Sequence, residues 1–516
     1  MKAALLICGT ALACTASAAN VSNVREIVLD AAAASTPRDH FADLSVGSDY
    51  PGTLIRDDSL AQLKTARQEL GFRYLRFHAI FHDVLGTYRE VDGQPVYDWS
   101  KLDYLYDQML KIGIKPFVEL GFTPLAMRSS DLSIFYWKGN TSHPQPDKWV
   151  ALIDAFIRHV QQRYGAAEVR SWFFEVWNEP NLDGFWERAD QQAYFELYAR
   201  TTRTIKAIDP ALRVGGPSTA GAAWVPEFLA YMRSNAVPVD FVTTHTYGVD
   251  GGFLDEHGKE DTKLSDSPDA IVGDVRRVRA QMQAAGQADM PLYFTEWSTS
   301  YTPRDPVHDA YLSAPYILQK LKQSAGLVQG MSYWTYSDLF EEPGPPTAPF
   351  EGGFGLMNPQ GIRKPAWFAY KYLNQLGEAE VPTGDAQSYA ARSNGATQLL
   401  AWDFQTPQQK LSNRSYYTRV QPSKASQPLR LVLKGYAAGK YAVSIYRTGY
   451  QANDAHTAYL RMGAPKSLTS AQLEQLQAET RDPPRTQVLS IPASGKATLN
   501  VAMRSNDVVL VKIERR

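Results

Sequence analysis

Ser171-Trp172-Phe173-Phe174-Glu175-Val176-Trp177-Asn178-Glu179-Pro180 reads as a buried β-strand that runs into a polar turn. Aromatic and β-branched residues fill its first part, and Pro180, which cannot donate to a strand ladder, stops it. An amphipathic helix precedes it over 147–164, with Trp149, Ile153, Phe156 and Val160 at core spacing, and another follows over 191–208. A buried strand between two such helices is the repeating unit of a parallel sheet covered by helices. Outward from it the same alternation continues in both directions. Strands are expected over 41–46, 74–78, 115–120, 213–215, 241–246, 291–297 and 331–336. The helices between and after them fall over 59–70, 99–112, 222–234, 268–284, 307–324 and 364–376. Eight strand–helix units indicate an α/β fold of the (β/α)8 barrel type. A doubly wound sheet is disfavoured because no glycine-rich phosphate fingerprint follows any strand.

Beyond residue 378 the pattern changes. Strand-like runs at 399–404, 429–433, 441–447, 497–503 and 508–513 are separated by turn residues, which indicates a C-terminal β-sandwich. One helix interrupts them over 470–479, with Thr469 and Gln472 placed as a capping box. At the other end, Lys2, an apolar run over 3–13 and a small-residue A-x-A site form the pattern of a secretory signal peptide over 1–19. The division is then a leader at 1–19, a barrel over 20–378 and a sandwich over 379–516. Such a leader implies a secreted or periplasmic protein. Both cysteines, Cys8 and Cys14, lie inside it. No other apolar run approaches the roughly 18 residues of a membrane span. Asn20, Asn140 and Asn413 head N-x-S/T triplets.

Composition narrows the partners. The 516 residues carry 53 Lys plus Arg and 54 Asp plus Glu, a formal net charge of −1. Such a chain has no global field for nucleic acid or an anionic membrane. With 44% hydrophobic and 21% charged residues it is an ordinary folded protein.

A barrel places its active site at the C-terminal ends of its strands. Glu179 lies at the end of the fourth strand and Glu296, in Leu292-Tyr293-Phe294-Thr295-Glu296-Trp297, at the end of the seventh. The two strands face each other across the mouth. Opposed carboxyl groups suit glycoside hydrolysis: one protonates the leaving oxygen, and the other attacks the anomeric carbon or activates water. Read singly, either glutamate is as well explained by an arginine partner. Read together, with flanking tryptophans, they form a catalytic pair. Glu119 and Glu175, inside the barrel, are expected to pair with Arg or Lys. Asp338, Glu341 and Glu342 follow the eighth strand, within reach of sugar hydroxyls. Aromatic residues are 12% of the chain, and Phe122, Trp177, Tyr247, Trp297 and Trp334 stand at strand ends, where flat rings match pyranose faces. Asn178 is placed to bond a substrate hydroxyl. Tyr247 is placed to donate to Glu296 and keep it ionised. His245 beside it is a candidate site residue or a core residue. No metal site or cofactor is expected: the nine histidines are scattered, and His78 with His82 is a poor zinc pair on a strand-to-loop stretch.

These segments resemble a known family. Phe174-Glu175-Val176-Trp177-Asn178-Glu179-Pro180-Asn181-Leu182, Arg76-Phe77-His78, Tyr136-Trp137-Lys138-Gly139-Asn140 and Ser332-Tyr333-Trp334-Thr335-Tyr336-Ser337-Asp338 are similar to glycoside hydrolase family 39. So are Phe340-Glu341-Glu342-Pro343-Gly344-Pro345-Pro346 and Gly352-Gly353-Phe354-Gly355-Leu356. The likeness is greatest to bacterial β-xylosidases, within the clan of retaining (β/α)8 glycosidases. It implies Glu179 as acid/base and Glu296 as nucleophile, with carboxyl groups about 5 Å apart. It implies that Asn178 contacts the 2-OH, and that His78, Tyr247, Trp334 and Glu342 line the pocket. It also implies that residues 20–30 add a strand to the sandwich. Ala79-Ile80-Phe81-His82-Asp83 departs from the family pattern, which leaves Asp83 without an expected role. The expected function is an exo-acting, retaining β-xylosidase on xylo-oligosaccharides. The alternative is another retaining β-glycosidase of the clan: a glucosidase, galactosidase, arabinosidase, uronidase or endo-acting polysaccharide hydrolase. The sandwich shows no exposed aromatic row, so bracing or assembly, including a homo-oligomer, is its expected role.

Overall fold

The computed structural model describes residues 24–393 and 395–516. The expected leader, both cysteines and Asn20 lie outside the described residues. Eight parallel strands close into a barrel. They are β1 Ser45–Gly47, β2 Tyr74–Phe77, β3 Lys115–Leu120, β4 Phe173–Val176, β5 Arg213–Thr219, β6 Phe241–Tyr247, β7 Leu292–Ser298 and β8 Gly330–Tyr333. The outer helices are α1 Asp57–Leu70, α2 Ser100–Ile112, α3 Pro146–Tyr164, α4 Gln191–Ile208, α5 Val225–Ser234, α6 Val272–Ala284, α7 Ser313–Ser324 and α8 Pro365–Asn374. α3 shows why they form: Trp149, Leu152, Ile153, Phe156, Ile157 and Val160 make one buried stripe, and Pro146 and Asp147 suit a helix start. α2 ends where Gly113 turns left-handed at φ 85°.

Inward residues of the barrel alternate, so they stack in layers. Leu44, Phe117, Phe173, Phe241 and Tyr293 plug the N-terminal end, with the Phe117 and Phe173 rings 4.7 Å apart. One layer higher β2, β3, β4 and β7 present Arg76, Glu119, Glu175 and Thr295, all buried. An apolar floor thus lies beneath a charged layer, and the site sits above both. Gly47 serves this layering at the top of β1, since a Cβ there would meet the Trp334 ring at 2.2 Å.

Among the barrel strands, β1 and β5 differ most from expectation, and β8 ends at Tyr333 rather than residue 336. β1 begins at Ser45 rather than residue 41; the Phe41 carbonyl instead caps the neighbouring ladder by accepting from Met331 N at 3.3 Å. β5 continues to Thr219, through Gly216-Pro217-Ser218. Those residues have turn chemistry, but β6 pairs with them across a bulge between Pro217 and Thr219.

The C-terminal part is a two-layer β-sandwich. A seven-stranded sheet runs in the order Thr36–Pro37, Ala379–Val381, Ser388–Ser393, Ala396–Trp402, Val508–Arg515, Gly439–Thr448, Arg485–Ile491. It shares a core with a three-stranded sheet of Arg25–Asp30, Leu429–Lys434 and Ala497–Val501. Arg25–Asp30 pairs in parallel with Leu429–Lys434, so the N-terminal segment does complete the smaller sheet. Ala379–Val381, Ser388–Ser393 and Arg485–Ile491 escape the sequence pattern; the last is an edge strand with mostly exposed, polar side chains. The capping box at Thr469 and Gln472 forms as expected. Among the described residues, no helix is long and apolar enough to cross a membrane.

Candidate active site

Glu179 stands three residues beyond β4. Trp177 and Glu179 both hold left-handed backbone, at φ 71° and 47°, which side-chain-bearing residues adopt only when their surroundings impose it. Here Trp177 N donates to Leu120 O at 3.1 Å and Glu179 N to Ser218 O at 2.8 Å, which pins the turn to both neighbouring strand ends. The indole of Trp177 is fully buried and donates to Phe185 O at 2.7 Å. The strained turn aims the Glu179 carboxyl at His245, 2.8 Å from Nδ1.

Glu296 reaches the same space by a different device. Strict alternation along β7 turns Tyr293 and Thr295 inward and Glu296 outward. The register against β6 slips at this point: Thr244 pairs with Phe294 and His245 with Glu296. Thr295 is therefore an extra residue in a bulge, and both Thr295 and Glu296 face the barrel interior. Thr295 Oγ1 donates to Glu175 at 2.7 Å. Glu296 Oε1 accepts from Arg76 Nη1 and Oε2 from Tyr247 Oη, each at 2.8 Å. Tyr247 is thus the donor to Glu296 that the sequence led us to expect. An oxygen of Glu179 and an oxygen of Glu296 lie within 4.8 Å of each other.

Arg76 is the hub beneath them. Fully buried, it reaches Glu175 at 2.5 Å, Glu119 at 3.0 Å, Glu296 at 2.8 Å and Asn178 Oδ1 at 2.8 Å. Glu119 and Glu175 are therefore structural partners of an arginine, as expected. Asn178 has its oxygen tied to Arg76, which turns its amide nitrogen the other way. In the sequence Arg76 belongs only to the Arg76-Phe77-His78 motif, and an arginine within an apolar strand is the one signal of a buried hub.

His78 Nδ1 is 2.7 Å from Glu119, and its Nε2 is 3.1 Å from Glu342 Oε1. Trp334 packs on His78 with centroids 4.7 Å apart, and Phe122 stacks behind it at 6.2 Å. Phe122 also packs against Trp177 at 5.3 Å, so it supports the site through ring contacts. Asp49 was not anticipated: it accepts from Trp137 Nε1, Thr53 Oγ1 and Glu341 N, and so holds the strand-eight loop that carries Glu342. His82 bonds Trp137 O at 2.9 Å, away from the partners of His78. Asp83 is exposed and accepts from Leu125 N.

Electrostatics separate the two opposed glutamates. Burial pushes Glu179 up to about 7. Burial also raises Glu296, opposed by the charge of Arg76. Burial drives His245 down to about 4, so the imidazole beside Glu179 is neutral. Burial acts against a charge on His78 as well, but Glu119 and Glu342 outweigh it and hold the ring as an imidazolium. Only Glu296 of the opposed pair is held directly by a cation; Glu179 has a neutral partner and keeps its proton. Glu179, His245 and Glu296 are the one cluster of metal-ligand type among the described residues. Arg76 already bonds Glu296 there, and its charge opposes a second cation.

Replacing Arg76 by Met will leave Glu175 and Glu296 buried without their cation, and Glu119 with His78 alone. The expected loss is roughly 3–5 kcal/mol of folding stability, read by urea unfolding. An unchanged midpoint would show that the carboxylates take up protons at no cost and that Arg76 is no hub.

A barrel mouth with two glutamates from opposite strands, one neutral and one charged, among aromatic rings, defines a glycoside hydrolase. The chain belongs to the glycosyl hydrolases family 39, whose family model matches residues 25–498. A family 39 enzyme from Xanthomonas axonopodis pv. citri is 64% identical in sequence; the match covers 96% of this chain and 98% of that one, with a TM-score of 0.94. A monomeric β-xylosidase from Caulobacter crescentus CB15 is 63% identical over 95% of this chain and 99% of its own, also at a TM-score of 0.94. A β-xylosidase of Caldicellulosiruptor saccharolyticus is 34% identical over 480 residues, which are 91% of this chain and 94% of that one.

Proposed function

We propose that the protein is an exo-acting, retaining β-xylosidase that releases terminal β-D-xylosyl residues from xylo-oligosaccharides. The observation that carries the mechanism is the oxygen separation within 4.8 Å between Glu179 and Glu296. Retaining enzymes place their carboxyl groups about 5–5.5 Å apart, whereas inverting ones leave about 6.5–9.5 Å for a water. Glu296 attacks the anomeric carbon while Glu179 passes its proton to the glycosidic oxygen. A glycosyl ester forms on Glu296. Glu179, now a carboxylate, takes a proton from water, which attacks the anomeric carbon, breaks its bond to the Glu296 oxygen and restores the starting configuration. Exo action is supported by burial, since Glu179 and Glu296 are only 8% and 5% exposed. Xylose as the sugar is supported by the relatives described as β-xylosidases. The leader read from the sequence supports work outside the cytoplasm.

The test is a panel of p-nitrophenyl glycosides with product configuration followed by NMR. The xyloside is expected to be the best substrate, with β-xylose the first anomer formed. First appearance of α-xylose would overturn retention, and preference for a glucoside, galactoside, arabinoside or uronide would overturn the sugar assignment.

The pH profile follows from the same groups. Glu179 must be protonated for the first step, so kcat/KM is expected to fall as pH rises through about 7. Glu296 must be ionised, which sets the acid limb. With Glu179→Ala and a substrate whose leaving group needs no proton, the alkaline limb should vanish; its persistence would assign that limb to another group.

A further inference from the structure

Asn413 opens a short helix, Asn413–Tyr417, in the C-terminal part of the chain, yet two of its three side-chain bonds hold loops of the barrel mouth in place. It is completely buried. Its Nδ2 donates to Asp305 Oδ2 at 2.8 Å, and its Oδ1 accepts from Leu264 N at 2.9 Å and from Gln409 Nε2 at 2.8 Å. Leu264 closes a hairpin, Val249–Leu254 with Glu260–Leu264, that grows out of β6 just past Tyr247. At the base of that hairpin Ser265 N donates to Gly248 O at 2.9 Å, and Gly248 N to Ser298 O at 3.2 Å. Asp305 lies in the loop after β7. It also accepts from Thr262 Oγ1 of the hairpin at 2.9 Å and caps the turn Pro306–Asp309 through Val307 N. One amide therefore ties together the loops that leave β6 and β7, the strands that carry Tyr247 and Glu296. Burying an amide is costly unless both of its ends are satisfied, and here both are, across segments far apart in sequence. The same burial removes Asn413 from use as a glycan acceptor in the folded protein.

We propose that Asn413 is a positioning residue for the nucleophile: through the hairpin and Asp305 it holds Tyr247 in hydrogen-bond register with Glu296. The sandwich is then a working part of the site, beyond bracing the barrel. The inference rests on the reading of Glu296 as the ionised nucleophile. Glu296 is faced by Arg76 from β2 and His78 just past it, by Glu179 beyond β4, and by His245 and Tyr247 from β6. Of these, the clasp at Asn413 bears on β6, and the hydroxyl of Tyr247 is the group that reaches Glu296 as a direct neutral donor.

The test is the acid limb of the kcat/KM profile. Removing a donor from a carboxylate raises its pKa, so Tyr247→Phe should move this limb to higher pH by roughly one unit. Asn413→Ala should move it in the same direction by less, and the double variant should show no shift beyond that of Tyr247→Phe alone. Gln319→Ala removes a different bond between sandwich and barrel, from Trp402 Nε1, and should leave the limb in place. Where Asn413→Ala does not fold, Thr262→Val decides, since it deletes only the hydroxyl donor to Asp305; a shift toward higher pH supports the proposal. An unmoved limb in Asn413→Ala, or in Thr262→Val where that variant decides, overturns it. So does an additive double variant, or an equal shift in Gln319→Ala. An unmoved limb in Tyr247→Phe instead overturns the underlying reading of Glu296.

Discussion

Glu296→Ala will abolish turnover of every glycoside, whatever its leaving group, by roughly 10⁴-fold or more. Both chemical steps pass through this carboxylate, so no improvement in the aglycone can compensate. The variant should fold, because Arg76 keeps Glu119 and Glu175 as partners. Adding azide tests the role directly. A small anion can occupy the truncated space and attack the anomeric carbon once, giving an α-xylosyl azide by a single inversion. Steady-state rates, a melting curve and the configuration of the azide product measure all three expectations. Undiminished turnover by a folded Glu296→Ala variant would falsify the nucleophile assignment.

Glu179→Ala will have an effect that depends on the substrate. Loss of a general acid costs roughly 10²–10⁴-fold where the leaving oxygen needs a proton, so xylobiose should be nearly inert. A nitrophenolate leaves without that help, so the first step on an activated xyloside should survive. Hydrolysis of the glycosyl ester then becomes slow because no base activates water, and a burst should appear. Azide needs no base, and is expected to restore the second step and yield a β-xylosyl azide by double inversion. The opposite anomers expected from the two variants make exchanged roles visible at once. If azide neither accelerates Glu179→Ala nor gives the β-product, Glu179 is not the acid/base.

The contrast between these variants comes from surroundings that were only partly legible in the sequence. Periodicity located the barrel because helix stripes and buried strands are local patterns, as with Trp149, Ile153, Phe156 and Val160 in α3. Pro180 and the end of β7 marked where reactive side chains emerge. The Tyr247 donor was inferred because neighbouring parallel strands bring their ends together. The bulge at Thr295 was not legible, since nothing in Phe294-Thr295-Glu296 distinguishes a slipped register from a regular one; pairing with β6 decides it. Nor was the hub at Arg76, whose partners come from β3, β4, the turn after β4, β5 and β7. The short strand Ala379–Val381 escaped because three residues carry no period.

By itself, then, the sequence determined the eightfold alternation, the sandwich that follows it and the two strand ends that bear glutamates. Each of these rests on contacts between residues close along the chain, or on a period that repeats. The tertiary structure decided which glutamate keeps its proton, how Glu296 turns inward and how a distant asparagine reaches the mouth. These depend on burial and on hydrogen bonds between segments far apart in the chain, which exist only once the barrel has closed.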